Sequence, residues 1–427
     1  MTKIAPFKGV FYNQEKIKDL LKVVCPPYDV ISPNRQQYYY DLDLYNFIHI
    51  LLPQDSSDKD KYRRAGRIFK EWLKDRIFIQ DEKPAIYFYS QEYNLKGEKR
   101  TRLGFISLLR LEEGKPSVFG HEHTRLEPKE DRLRLLKQVK ANLSPIFAVF
   151  SDRKRIIQST YEQCIQGVKP FIDIIDDEKT VHKLWRLNSP EHLNKIESCM
   201  SRENIFIADG HHRYEVACAF RDELKKRKGP LFLDESSVNY IMSYFTNVES
   251  RGLVILPIHR LVKLNANFDF NDFQSGLKDY FDLDQIKDKS RLFFLLEKAG
   301  ASEHVLGMYF NKKYWLLRLK NIKLLDKLFV DKPKIYRSLD IAILNFLILK
   351  MILKIDLEDK QNIVFSADAT ELIGQEENLG RYVAFFLNPV KIQEIITVAL
   401  SGEKMPSKST YFYPKVLSGL VIHKFNT

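Results

Sequence analysis

Short apolar runs alternate with stretches of helical periodicity along this chain, a pattern that predicts a mixed α/β (α+β) fold built on a mixed sheet. The clearest case is Ile205-Phe206-Ile207-Ala208, an apolar run that ends at Asp209-Gly210. Val216, Ala217, Phe220 and Leu224 then recur at helical spacing as far as Gly229-Pro230. The spacing predicts a strand over 205–208, a glycine turn and a helix over 212–228. Lys225 to Lys228 suit the negative end of that helix, and Gly229-Pro230 stops it.

Elsewhere the same reading gives a helix over 58–74, from Tyr62, Ala65, Ile68, Phe69 and Trp72. Strands at 85–89 and 103–111 flank Asn94-Leu95-Lys96-Gly97 as a hairpin. Pro128-Lys129-Glu130-Asp131-Arg132 starts a helix whose buried face is Leu133, Leu136 and Val139. Strands follow at 145–150, 181–187 and 239–248, with helices at 153–166 and 190–199. From about 265 the texture changes to a polar helix and a hairpin through Asn311-Lys312-Lys313. An apolar helix over 338–351, strands at 362–365 and 382–387, and a helix after Pro389 complete the pattern. The divisions expected are a main domain over 1–260, a small insertion or second domain over 261–330, and a segment 331–427 that completes the main domain. The apolar stretch 341–349 is interrupted by Asn345 and stopped by Lys350, so it predicts a buried helix and no membrane span.

Composition narrows the class. Apolar residues make up 44% and charged residues 29%, a globular balance, and 17 glycines with 17 prolines exclude collagen-like or linker-dominated chains. A net charge of +12 is spread along the chain and favours anionic partners without choosing among nucleotides, phosphorylated metabolites and nucleic acid. The four cysteines form no CxxC pair, and Met1 through Phe11 is not a signal peptide. A cytoplasmic protein is expected.

Three constellations carry chemistry. In Asp209-Gly210-His211-His212-Arg213, glycine permits a tight turn, the helix offers its N–H groups to an anion, and Arg213 can clamp phosphate. The histidines can donate to phosphate, act as bases or ligate metal. Packing alone gives such a set little reason to sit between an apolar strand and an apolar helix face, although Asp209 also fits a plain helix cap. The second constellation is Gly120-His121-Glu122-His123-Thr124-Arg125, where alternate histidines suit zinc and Glu122 suits a general base. Its plain alternative is a polar loop, and the H-E-x-x-H pattern fails because position 125 is Arg. The third is Lys408-Ser409-Thr410, a cation with two hydroxyls that lacks the glycines of a phosphate loop. Tyr28 and Asp29, held by Pro26 and Pro27, are substrate-binding candidates with Arg125, or else part of a rigid connector.

Together with Phe119-Gly120-His121-Glu122, Ser144-Pro145-Ile146-Phe147, Ala208 through Tyr214 and Met405 through Lys415, the segment Pro26 through Ile31 resembles the prokaryotic domain-of-unknown-function family 1015 over essentially the whole chain. The glycine-histidine-arginine core also resembles the nucleotide-handling turn of the ParB/sulfiredoxin superfamily, which includes free-serine kinases. That resemblance implies that Gly210, His212 and Arg213 hold nucleotide phosphates, with His211 beside them. His211 stands where sulfiredoxin chemistry would want a cysteine.

The leading expectation is a nucleotide-dependent phosphotransferase acting on a small hydroxylated, serine-like metabolite. Its catalytic residues would be Glu122, His121, Asp209 and His212. Gly210, His211, His212, Arg213, Lys408, Ser409 and Thr410 would bind ATP, ADP or CTP, with Asp209 as a Mg²⁺ ligand. All three constellations are expected around one cleft. A metal-dependent hydrolase using zinc and a nucleotide-regulated nucleic-acid-binding or partition-like protein are the alternatives.

Overall fold

The computed structural model describes every residue except 55–57, 113–115, 125, 230–235, 331, 358, 360, 361, 380 and 427. Backbone proximity divides the chain into two compact units. The first takes residues 1–120, 124–254 and 414–427, and the second takes 121–123 and 255–413.

Among the described residues the first unit holds a nine-stranded mixed sheet. Its path runs Val118–Gly120, Ile205–Asp209, Ile146–Phe150, Tyr240–Asn247, Glu98–Arg110, Ile86–Leu95, Val181–Leu187 and Ile172–Ile175. Ile4–Ala5 pairs beside this path on Glu98–Arg110. Ile205–Asp209 runs parallel to Val118–Gly120 and antiparallel to Ile146–Phe150. Paired on both edges and covered on both faces, it reads as an unbroken apolar run, and Ile205 through Ala208 are buried. Phe88, Phe105, Phe150 and Phe245 fill the sheet's core with Ile86, Ile205 and Ile207.

The hairpin is longer than its apolar content suggested. Its strands stay paired through the polar residues 90–102 out to Leu95 and Glu98. Lys96 and Gly97 close it with positive φ at both positions, 51° and 83°, as a two-residue turn matched to strand twist requires.

The helix Asp58–Lys74 has the bounds the periodicity predicts, and the helix expected at Pro128 begins earlier, at Leu126. Asp209 ends its strand, Gly210 adopts φ 90°, and the helix runs His211–Lys228. On that helix Tyr214, Ala217 and Cys218 meet the sheet core, while Phe220 stacks on Phe425 with centroids 6.0 Å apart.

Residues 414–426 lie as a strap across the first unit. Arg102, fully buried, donates to the Pro414 carbonyl and to Gln91 Oε1 and lies 4.6 Å from the Phe147 ring centre. Gln91 donates in turn to the Lys415 carbonyl at 2.9 Å. Ser418 pairs with Cys25 through the backbone and with Ser144 through its hydroxyl at 2.6 Å. These bonds fix the backbone on both sides of Lys415.

The second unit holds a six-stranded sheet among its described residues, in the order Phe281–Ile286, Lys313–Leu319, Val305–Phe310, Tyr382–Phe386, His259–Lys263 and Ile363–Ser366. This grouping differs from the divisions expected at 261–330 and 331–427. Tyr382–Phe386 pairs with both the hairpin strand Val305–Phe310 and His259–Lys263, which ties the expected insertion to the later segment. Only 414–427 returns to the first unit. The helix expected over 338–351 begins at Asp340 and widens to π geometry over Leu344–Ile352.

Replacing Arg102 by Met keeps most of its volume but leaves the Gln91 and Pro414 acceptors without this donor. A loss of about 1–3 kcal/mol per orphaned acceptor is expected. Urea unfolding measures it, and an unchanged midpoint would show that the strap does not depend on this guanidinium.

Candidate functional site

The turn after the buried strand is built from what each residue cannot avoid. The register shifts between Ile207 and Asp209, so the strand's pairing ends irregularly at the carboxylate. Asp209 Oδ1 accepts the Gly210 N–H at 2.9 Å. Gly210 occupies the left-handed region, which L side chains rarely adopt. A Cβ there would also stand 2.9 Å from Arg213 Nε and 3.0 Å from its Cζ, so the guanidinium lies folded against the glycine. Gly210, at the N-cap position, brings no side chain to cap the helix that follows. An α-helix leaves its first N–H groups without intrahelical partners and carries a positive dipole at that end.

Two cations flank the carboxylate. Lys415 Nζ lies 3.2 Å from Asp209 Oδ2, and Arg213 Nη2 lies 3.6 Å from the same oxygen. Arg213 Nη1 donates to the Pro145 carbonyl, while among the described residues its Nε has no hydrogen-bond partner. Burial would raise the Asp209 carboxyl, but the Lys415 ammonium and the Arg213 guanidinium outweigh it and hold the group well below the usual carboxylate range. Such a carboxylate stays ionised near neutrality and is a weak base. It suits orienting donors better than taking a proton.

Tyr28 joins this surrounding. The Arg132 guanidinium stands 4.5 Å from its ring centre and donates to the Leu51 carbonyl at 2.7 Å and to Asp131. Burial, then the Asp29 charge, pushes the Tyr28 hydroxyl up to about 12, so it remains a donor. Tyr28, Arg132, Ser144, Arg213 and Val216 line a cavity of about 60 Å³. Asp29 is exposed, His211 is buried and His212 is half-buried. At the start of the same helix, Glu215 accepts from Thr124 at 2.6 Å and Lys129 at 3.0 Å.

The remaining expected residues that are described lie in the second unit. His121 is fully buried, its Nε2 lies 3.3 Å from the Thr410 hydroxyl, and its carbonyl accepts the Met405 N–H at 2.7 Å. Glu122 Oε1 accepts the Lys408 N–H at 2.8 Å. Lys408 is exposed with φ 58°, and its carbonyl accepts from the buried Arg260 at 3.0 Å. Ser409 is buried and donates to the Pro406 carbonyl. The expected lysine-hydroxyl stretch is therefore a tight turn tied to Glu122, with each hydroxyl engaged inside its own unit. Arg125 lies outside the described residues.

The structure thus brings Asp209, Gly210, Arg213 and Tyr28 together in one unit and His121, Glu122, Lys408 and Thr410 together in the other. Lys415 and Arg132 were not among the residues expected at the site. Lys415 closes the run Met405 through Lys415, but only tertiary pairing distinguishes it from Lys408 as the lysine at the turn.

Among the described residues no three His, Cys, Asp or Glu side chains gather as a metal site. Asp209, already held by two cations, does not by itself make a Mg²⁺ cage, although Mg²⁺ arriving on a nucleotide's phosphates needs at most a carboxylate or two from protein. No described helix is long and apolar enough to cross a membrane.

The chain belongs to the family described as protein of unknown function DUF1015, whose model matches residues 4–342. No curated protein matches it in sequence. Among solved structures it is similar to a free serine kinase variant in complex with ADP, at 11% identity and a TM-score of 0.33, covering 69% of this chain and 84% of that one. SbnI with a C-terminal truncation, from Staphylococcus aureus, aligns at 9% identity and a TM-score of 0.38, covering 73% and 85%. A conserved hypothetical protein from Pyrococcus furiosus aligns at 13% identity and a TM-score of 0.32, covering 70% and 89%.

The ion triad sets a pH dependence. Because the folded Asp209 carboxyl titrates below the unfolded one, its contribution is complete above about pH 4 and fades as pH falls toward the folded value. Urea midpoints measured from neutrality into acid should fall less steeply for Asp209→Asn than for wild type. Parallel curves would mean that the triad contributes nothing to stability.

Proposed function

We propose that the chain binds a nucleotide, or another phosphorylated small molecule, with its phosphate at the turn Gly210 to Arg213, and transfers a phosphoryl group to a small hydroxylated metabolite such as serine. The observation that carries this reading is the charge balance at the helix start after Gly210. One carboxylate faces both Arg213 and Lys415, and the Arg213 Nε has no hydrogen-bond partner among the described residues. A phosphate would add the acceptors and the negative charge that this arrangement lacks.

Phosphoryl transfer is chiefly positioning and charge stabilisation, so a cation pair and a helix start supply much of what it requires. Asp209 orients the two cations. Gly210 keeps the guanidinium close to the backbone, since a side chain there would displace it. Mg²⁺, when bound, would come with the nucleotide and neutralise phosphate oxygens.

Arg213→Ala removes the clamp. Calorimetric titration with ATP, ADP and CTP, with and without Mg²⁺, should show binding weakened by roughly 1.5–3 kcal/mol for each important charge-assisted hydrogen bond lost. Nucleotide binding that is unchanged in the variant would refute the clamp. Glu122→Ala examines the chemical step separately, in a phosphoryl-transfer assay with serine and related hydroxylated metabolites. If Glu122 is the base, turnover falls while nucleotide affinity holds. Equal loss of both, or of neither, removes Glu122 from that role.

A further inference from the structure

The second unit contains a cavity of about 200 Å³ bordered by His304, Asp340, Asn388, Lys391 and Glu394. One water needs about 10–15 Å³ of such space, so the cavity has room for several waters and for a compact ligand. His304 Nδ1 lies 2.8 Å from Asp340 Oδ1. With the Nδ1 proton donated to that carboxylate, Nε2 is left as an acceptor, and among the described residues it makes no hydrogen bond. A carboxylate that fixes the tautomer and orientation of a histidine is the arrangement by which proteins present an imidazole nitrogen to a ligand.

The rest of the wall is rich in acceptors. Glu394 Oε2 accepts the Lys391 N–H at 2.8 Å, which leaves Oε1. Asn388 donates its amide N–H to the Leu296 carbonyl at 2.9 Å, which leaves its side-chain oxygen. Burial first, and then the Asp340 charge, raises the Glu394 carboxyl despite the Lys391 N–H, the Lys391 charge and His304. A cation in the cavity would offset both of the raising influences. The nearby Glu303 is paired with Arg318 and adds little net charge.

We propose that this cavity is a second small-molecule site, selective for a compact primary ammonium whose N–H donors meet His304 Nε2, Asp340 and Glu394. The selectivity follows from the donor and acceptor count. An anion would face two carboxylates against the single ammonium of Lys391, and a quaternary ammonium would bring charge without donors. The site lies within one unit and stands apart from the phosphate reading of the other.

The test uses the full chain with 2-aminoethanol hydrochloride as probe, and with tetramethylammonium chloride and sodium acetate for comparison. Histidine ring resonances are followed by NMR, with His304 assigned from the spectrum of His304→Gln. Saturable, millimolar displacement of the His304 resonances by 2-aminoethanol alone is the expected result. Affinity should fall about ten-fold or more in Asp340→Asn and in Glu394→Gln, each checked for an unchanged fold by the remaining histidine resonances. Glu394→Gln keeps the test open should loss of Asp340 unfold the unit. No saturable displacement, equal displacement by tetramethylammonium or acetate, or full affinity in a folded variant would each overturn the proposal.

Discussion

The carboxylate of Asp209, half-buried at the end of a strand and held between Lys415 and Arg213, is the constraint on which the site of the first unit turns. A carboxylate drawn largely out of water is costly unless charge and hydrogen bonds meet it. Here three elements meet at the carboxylate. The strand and glycine turn deliver the acid, the helix start delivers Arg213, and the C-terminal strap delivers Lys415. Each part is anchored elsewhere, the strap by Arg102 and Gln91 and the guanidinium by the Pro145 carbonyl. The same balance that stabilises the acid leaves positive charge in excess at a helix N-terminus. Structure and proposed function therefore rest on one electrostatic arrangement.

Much of the fold was legible because its causes are local. The run Ile205 through Ala208 has no polar residue to place at a surface, Asp209-Gly210 breaks it, and Val216, Ala217 and Phe220 set a helical period. Strand, turn and helix follow from those residues alone, and the structure places them at Ile205–Asp209 and His211–Lys228. The length of the hairpin was not legible, because cross-strand pairing carries the polar residues 90–102, which have little apolar pattern of their own. The grouping of 255–413 was hidden for a similar reason. It depends on which strands pair, and periodicity along one segment does not record its neighbour.

The site shows the same limit. Gly210 and Arg213 announce themselves by chemistry and position, whereas Lys415 reaches Asp209 across 206 residues of chain. Lys408 has the more suggestive sequence, since two hydroxyls follow it, yet its exposed side chain sits on a turn whose N–H is held by Glu122 across 286 residues. Ser409 and Thr410 illustrate how hydroxyls near a lysine can serve a turn: one meets its own backbone and the other faces His121. Residue types near one another in sequence set the candidates, and tertiary hydrogen bonds decide what their atoms face.

A crystal structure of the protein grown with ADP tests the phosphate clamp at Arg213 most directly. The terminal phosphate is expected within hydrogen-bonding distance of the Arg213 guanidinium and the first-turn N–H groups after Gly210, with Lys415 still beside Asp209. A phosphate seated away from that turn, or ADP absent from fully formed crystals at saturating concentration, would contradict it.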